Sequence, residues 1–293
     1  MNKKIVAIAT VLVVSGGVLM GTAYASSAQL SGYDAYKLAI KNTANLKNET
    51  ADFKISVDDA GVNLVDVTSN VKVNSTTNAM SQATTVKSSK GSETFSTSNQ
   101  AGKSVSKSST SEVYNVRENN NKNLNKKAEV MNPEVAKSME VVLDTLVGSM
   151  KNNVAVTDNA DGTKKVDINL SQTEIVPLVN AITSIALTKN VNEPMHNEKA
   201  GNLDVKNMIP KLASGIIVKS VNVTGNINKD NIISNEVAKI VVTGLDAQGK
   251  THEVTINATL NLSKINGTTP DTIDLTGKQV KTMTNDFKGR DKE

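Results

Sequence analysis

The sequence predicts an α+β protein: a curved antiparallel β-sheet, of half-barrel type, with helices covering its concave face. Three observations carry that expectation. In THEVTINATLNLS, residues 251–263, His252, Val254, Ile256, Ala258, Leu260 and Leu262 alternate without a break against polar residues, the mark of a strand with one dry and one wet face. Two more such strands precede it across short turns, which makes a meander. Three other stretches space their apolar residues for a helix, and their stripes are candidates to cover the dry face.

The chain opens with MNKKIVAIATVLVVSGGVLMGTAYASS, two lysines ahead of an apolar run and an Ala23-Tyr24-Ala25 site. This pattern predicts a signal peptide over residues 1–25, cut after Ala25. The alternative is a retained membrane anchor, against which Gly16, Gly17 and the small-residue site argue. Residues 26–293 are then expected to form a single domain, and no later stretch is long and apolar enough to cross a bilayer.

There is no cysteine, which excludes disulfides, thiolate metal sites and a lipid-modified cysteine. Of 33 basic and 29 acidic residues, cleavage removes Lys3 and Lys4 and leaves 31 against 29, too even a balance for a nucleic-acid footprint. Aromatic residues make up only 2%, so stacking platforms for bases or sugars have almost no material. No nucleic-acid partner is expected.

Taken in order, residues 31–47 predict a first helix, with Ser31 as cap and Tyr36, Ala39, Ile40 and Thr43 on one face. At Thr50 the period changes to two. Phe53, Ile55 and Val57 define one strand, Asp59-Ala60-Gly61 a turn, and Val65, Val67, Val71 and Val73 a second strand. Residues 74–111 are rich in Ser, Thr, Asn and Lys; turn signals at Lys90-Gly91 and Ala101-Gly102 favour short polar strands over a flexible linker. Residues 118–127 read as a solvated loop.

Asn132-Pro133 starts a second helix, striped by Val135, Met139, Val142, Leu143, Leu146 and Met150. A hairpin follows, turning at residues 158–162. Ser171 and Glu174 form a capping box for a third helix over 171–189, whose stripe includes Val179 and Ile182. Residues 190–212, with Pro194 and Pro210, form a long crossover. Three long strands come next, with turns at 228–231 and 246–249, and then a turn-rich tail.

Chemistry has little to stand on. The two histidines, His196 and His252, lie in no local signature, and His252 sits on the apolar parity of its strand, where a satisfied structural histidine is expected. Setting Gly162 at the sixth position of a calcium loop puts Thr157 first and Ile168 twelfth, so that match fails and 158–162 is a hairpin turn. Asp58-Asp59 reads as an ordinary turn. No glycine-rich phosphate loop is present. The chain is therefore expected to be no enzyme, to bind no metal and to need no cofactor.

The order helix, strands, helix, hairpin, helix, meander resembles the LolA-like half-barrel superfamily of bacterial lipoprotein carriers and mycobacterial-type envelope lipid-binding lipoproteins. More closely, SGYDAYKLAIKNTANLKNETADF, EIVPLVNAITSIAL, NINKDNIISNEVAKIVVTGLDAQGKTHEVTINATLNLSKI and NGTTPDTIDLTGKQV resemble an exported family of spore-forming Gram-positive bacteria of unassigned activity. The superfamily resemblance implies an apolar ligand, such as a lipid, an acyl chain or a hydrophobic protein segment. The missing anchor cysteine and the few aromatics depart from that pattern.

The leading expectation is a secreted, cell-envelope-associated binding protein with an apolar ligand lined by Leu143, Leu146, Val179, Ile182, Ile256, Ala258 and Leu260. The alternatives are a structural or interaction module of the envelope or spore surface with an envelope protein as partner, or a sensor domain for an envelope polypeptide.

Overall fold

The computed structural model describes residues 31–118, 151–175 and 208–283. Within them a helix, α1 (Gly32–Ala44), precedes β1 (Asn48–Asp59), β2 (Val62–Asn74), β3 (Ala79–Ser88), β4 (Gly91–Gln100), β5 (Lys103–Ser108) and β6 (Val113–Glu118). A 3-10 turn, Lys151–Asn153, leads into β7 (Val154–Asp158) and β8 (Lys164–Ser171); β9 (Ser214–Ile227), β10 (Ile233–Leu245), β11 (Thr251–Ser263) and β12 (Gln279–Thr282) complete the described strands. All twelve belong to one sheet, ordered β12-β6-β5-β4-β3-β2-β1-β11-β10-β9-β8-β7. Neighbours pair antiparallel except β12, which runs parallel to β6.

Most strand expectations match these elements closely. The Asp59-Ala60-Gly61 turn forms with both central residues in the left-handed region, φ 48° at Ala60 and 81° at Gly61, which lets a two-residue loop follow the twist of its strands. The β9–β11 meander has the expected turns. Residues 74–111 are the polar strands β3 to β5 with their turns: threonine suits a pleated surface, and hydroxyls pair across strands, Ser69 with Thr84 and Thr85 with Thr94, each at 2.8 Å.

The fold class itself needs correction. Among the described residues the protein is chiefly a 12-stranded sheet, with helix limited to α1, the 3-10 turn and residues 172–175, not an α+β half-barrel with helices over a concave face. Strands β3 to β6 widen the sheet far past what one 13-residue helix can cover, and α1 packs only at the end formed by β7 to β10. The expected second helix, and all of the third beyond residue 175, lie outside the described residues, as do the signal segment, the 119–127 part of the polar loop and the crossover before residue 208.

Helix α1 forms because its cap and its stripe agree. The Ser31 hydroxyl accepts the Asp34 backbone N–H at 3.2 Å, and Tyr33, Tyr36, Ala39 and Ile40 are buried on one side. Thr43 Oγ1 donates to the Ala39 carbonyl at 2.7 Å and accepts the Ile233 N–H at 2.9 Å, which ties the last turn to β10. The helix stripe joins Val154, Val166, Ile168, Leu170, Ile175, Ile227 and Ile233 in a first core. A second core gathers Ile55, Val57, Val65, Val86, Ala238, Val254 and Ala258 from the central strands.

Gly32 meets the outer edge of the terminal strand β7, where a methyl group would overlap the Val154 carbonyl oxygen and sit 3.1 Å from the Val156 nitrogen. The contact blunts an edge that would otherwise invite another strand. Gly32→Ala is expected to cost about 2 kcal/mol by forcing α1 away from β7. Urea unfolding checks this, and an unchanged midpoint would show that the close approach is dispensable.

Residues 264–278 form a strap across the sheet. Leaving β11, the chain crosses the polar face of β1 to β5 and reaches β6, where it pairs as β12. It follows a cross-strand row, Thr50, Lys72, Ser81, Ser98, Val105 and Val116. All but Lys72 are buried. Side chains of the sheet replace the partner strand that the strap lacks. Asn48 donates to the Thr268 carbonyl at 3.0 Å and accepts its N–H at 2.7 Å; Gln100 does the same for Ile273 at 2.9 and 2.7 Å. Between them, Ser81 accepts the Asp271 N–H and Ser98 donates to its carbonyl. No apolar period marks these residues, which is why the sequence reads only as turn-rich.

Candidate functional site

The face opposite the strap carries the aliphatic residues, and the register puts them in rows. One row runs Val154, Ile168, Val223, Ala238, Ala258, Ile55, Val67, Val86 and ends at Glu93. The next contains Glu236, Leu260, Phe53, Ser69, Thr84, Phe95 and Ser108. The face therefore changes character across the sheet: aliphatic from β8 to β2, increasingly hydroxyl and amide from β3 to β6. Sequence reasoning recognised the alternation within each strand but not this gradient, because composition does not reveal which strands become neighbours.

Of the expected lining residues, Ile256, Ala258 and Leu260 stand together on the aliphatic face of β11. Ala258 is buried, and Ile256 and Leu260 are half-buried. Leu143, Leu146, Val179 and Ile182 lie outside the described residues.

Two buried carboxyls interrupt this face. Glu93 is 1% exposed and accepts hydrogen bonds from Ser108 at 2.5 Å and Thr110 at 2.8 Å. Glu236, 8% exposed, accepts the Tyr36 hydroxyl at 2.7 Å and so links α1 to β10. Burial pushes the Glu236 carboxyl above its ordinary value of 4.5, an effect the Tyr36 hydrogen bond partly offsets, and burial followed by the charge of Glu236 raises the Tyr36 phenol. The folded state thus holds its proton more tightly than the unfolded state, and stability falls as pH rises from about 4.5 through the raised value. Glu236→Gln should flatten that part of the profile, as measured by thermal unfolding between about pH 4 and 7.

His252 is buried, with both ring nitrogens bound. Nδ1 lies 2.7 Å from Asp59 Oδ2 and Nε2 lies 3.1 Å from Asp246 Oδ2. The histidine is satisfied, as its parity suggested. Asp59, which reads in sequence as an ordinary turn residue, is one of its partners, and no local pattern joins residues so far apart in the chain. Ser171 and Glu174 do form the expected capping box, the Ser171 N–H donating to Glu174 at 2.7 Å.

The strap side holds a shallow open hollow of about 340 Å³, lined by Asp52, Lys54, Thr68, Asn70 and Asn261 among others. These polar residues lie opposite the aliphatic face, and Asn70 is already bonded to Asp52 at 2.7 Å. Among the described residues no three His, Cys, Asp or Glu side chains are placed to share a metal ion. No helix among them is long and apolar enough to cross a membrane.

The chain matches no protein-family model and no curated protein. Among solved structures it is similar to an S-type phycobiliprotein lyase from Guillardia theta, with 7% identity, a TM-score of 0.20 and coverage of 84% of this chain and 99% of that one. It is also similar to the ywiB protein from Bacillus subtilis, at 8% identity and TM-score 0.15 over 73% and 91% of the two chains. A third is the bifunctional dehydratase-cyclase domain in ambruticin biosynthesis, at 11% identity and TM-score 0.13 over 79% and 80%. At such scores the likenesses bear neither on activity nor on the lipoprotein-carrier resemblance.

Proposed function

We propose that this protein is an exported, non-enzymatic binding protein of the cell envelope that holds a lipid, an acyl chain or another apolar molecule against the aliphatic face of its central strands. One observation carries the reading: Phe53, Val67, Ile256 and Leu260 remain half-buried on the aliphatic face, beside the buried Ile55, Val57, Val65, Ala238, Val254 and Ala258. Apolar area left between dry neighbours is what an apolar ligand would cover. The lysine-led apolar start supports export. Organic extraction of the purified protein followed by mass spectrometry should recover a bound lipid, and fluorescent fatty acids should bind, less so in Leu260→Lys. A ligand-free protein that also ignores the fatty acids would end this reading.

A second reading, a structural or interaction module of the envelope or spore surface, is favoured by the breadth of the hydroxyl-rich strands β3 to β6. It expects a dry aliphatic face and co-purification with envelope material.

A further inference from the structure

We propose that Asp59, His252 and Asp246 form a protonation-dependent latch, which holds the β10–β11 turn to the β1–β2 turn at the end of the aliphatic face. The proposal is independent of which ligand, if any, occupies that face. It rests on proton counting. Both carboxylates only accept hydrogen bonds, and a neutral imidazole has a single N–H to donate. Bonds at both ring nitrogens therefore require one proton more than a neutral histidine and two carboxylates carry. Without it, one nitrogen lone pair faces a carboxylate oxygen at about hydrogen-bond distance.

The two acids are anchored differently. Asp246 Oδ1 accepts the backbone N–H groups of Gln248 at 2.9 Å and Lys250 at 2.8 Å, so this carboxylate organises its own turn and offers Oδ2 to the histidine. Asp59 Oδ1 is buried without a hydrogen-bond partner among the described residues, so His252 is the partner that compensates this acid's charge. Loss of the shared proton would leave Asp59 half-buried, with Oδ1 shielded from water and no cation beside it, a costly state that opening of the turn relieves. The Ala60 N–H bond to the Glu253 carbonyl, 2.9 Å, joins β1 to β11 beside the latch but does not reach the β10–β11 turn.

The charged groups around the ring are Asp59 from β1 and Asp246 and Lys250 from the β10–β11 turn. Cross-strand, β10 presents only Gly244, against which Leu212 packs. The hydrogen bonds to Asp59 and then to Asp246 raise the His252 value above 6.5, while burial and Lys250 work against them. Asp246 is held below 3.8, chiefly by the histidine. For a raised histidine the stabilisation is fully present below about 6.5 and is lost as pH rises through the folded value. For Asp246 it is present above about 3.8 and is lost as pH falls through the lowered value. The latch is closed between those limits and opens on the alkaline side.

Imidazole nitrogen NMR on the full chain from about pH 5 to 10 tests this, with the His252 signals identified as those missing from His252→Gln. The expected result is a His252 midpoint above the free-imidazole range, with the Ala247, Gln248 and Gly249 amide signals moving at the same midpoint. Asp246→Asn should lower that midpoint and uncouple those amides from it. A His252 midpoint at or below the free-imidazole range, or turn amides that ignore the titration, would overturn the latch. Should His252→Gln fail to fold, the wild type and Asp246→Asn decide the matter, because comparing their two spectra identifies the shifted ring.

Discussion

Replacing Asn48 and Gln100 together by alanine is expected to lower the unfolding free energy by about 4 kcal/mol and to free the strap from the sheet. Each side chain satisfies both the N–H and the carbonyl of one strap residue, Thr268 for Asn48 and Ile273 for Gln100. Truncation leaves two backbone groups without partners at each site, and a part-buried unpaired group costs about 1 kcal/mol or more. The two residues lie on different strands and bond no common residue, so their effects should add. Gln100→Glu sharpens the test. A carboxylate still accepts the Ile273 N–H but cannot donate to its carbonyl, and about half of the single-site loss should remain. Urea unfolding gives the magnitudes, and limited proteolysis should cut within residues 264–278 of the double variant first. If the double variant loses less than about 1 kcal/mol, the strap is held by something other than these amides.

Ile227→Ala is expected to cost about 3–4 kcal/mol. Ile227 is 1% exposed at the end of β9, paired in register with Ile233 of β10 and part of the first core. Removing its outer atoms leaves a void between α1 and the sheet that neither hydrogen-bonded strand can close by moving. The same change at Val62, which is 64% exposed, should be nearly neutral. Thermal unfolding of both variants checks the contrast. A small loss at Ile227 would mean that the junction of α1 with β7 to β10 repacks freely.

Much of the strand content is legible in the sequence. Alternation in residues 251–263 located β11 to the residue, because a half-buried strand imposes a period of two on its side chains. Ser31 located the start of α1, and Ala60-Gly61 located a hairpin, because a capping hydroxyl and a left-handed loop are local requirements. The placement of α1 was not legible, since a stripe such as Tyr36, Ala39 and Ile40 states that a face is buried but not against what. Of the expected site, Ile256, Ala258 and Leu260 do share a face. The aliphatic-to-polar gradient beside them, the buried Glu93 and Glu236, and the role of Asp59 had no sequence signal.

Local chemistry therefore determined the strands, their turns, the first helix and which face of each strand is dry. Only the tertiary structure decided that the twelve described strands share one sheet, that residues 264–278 cross it as a strap, and that Asp59, Asp246 and His252 meet. The physical reason is range: periods and caps act over a few residues, whereas strand order and charge clusters depend on contacts between segments up to about two hundred residues apart, where chain entropy rather than local preference must be overcome.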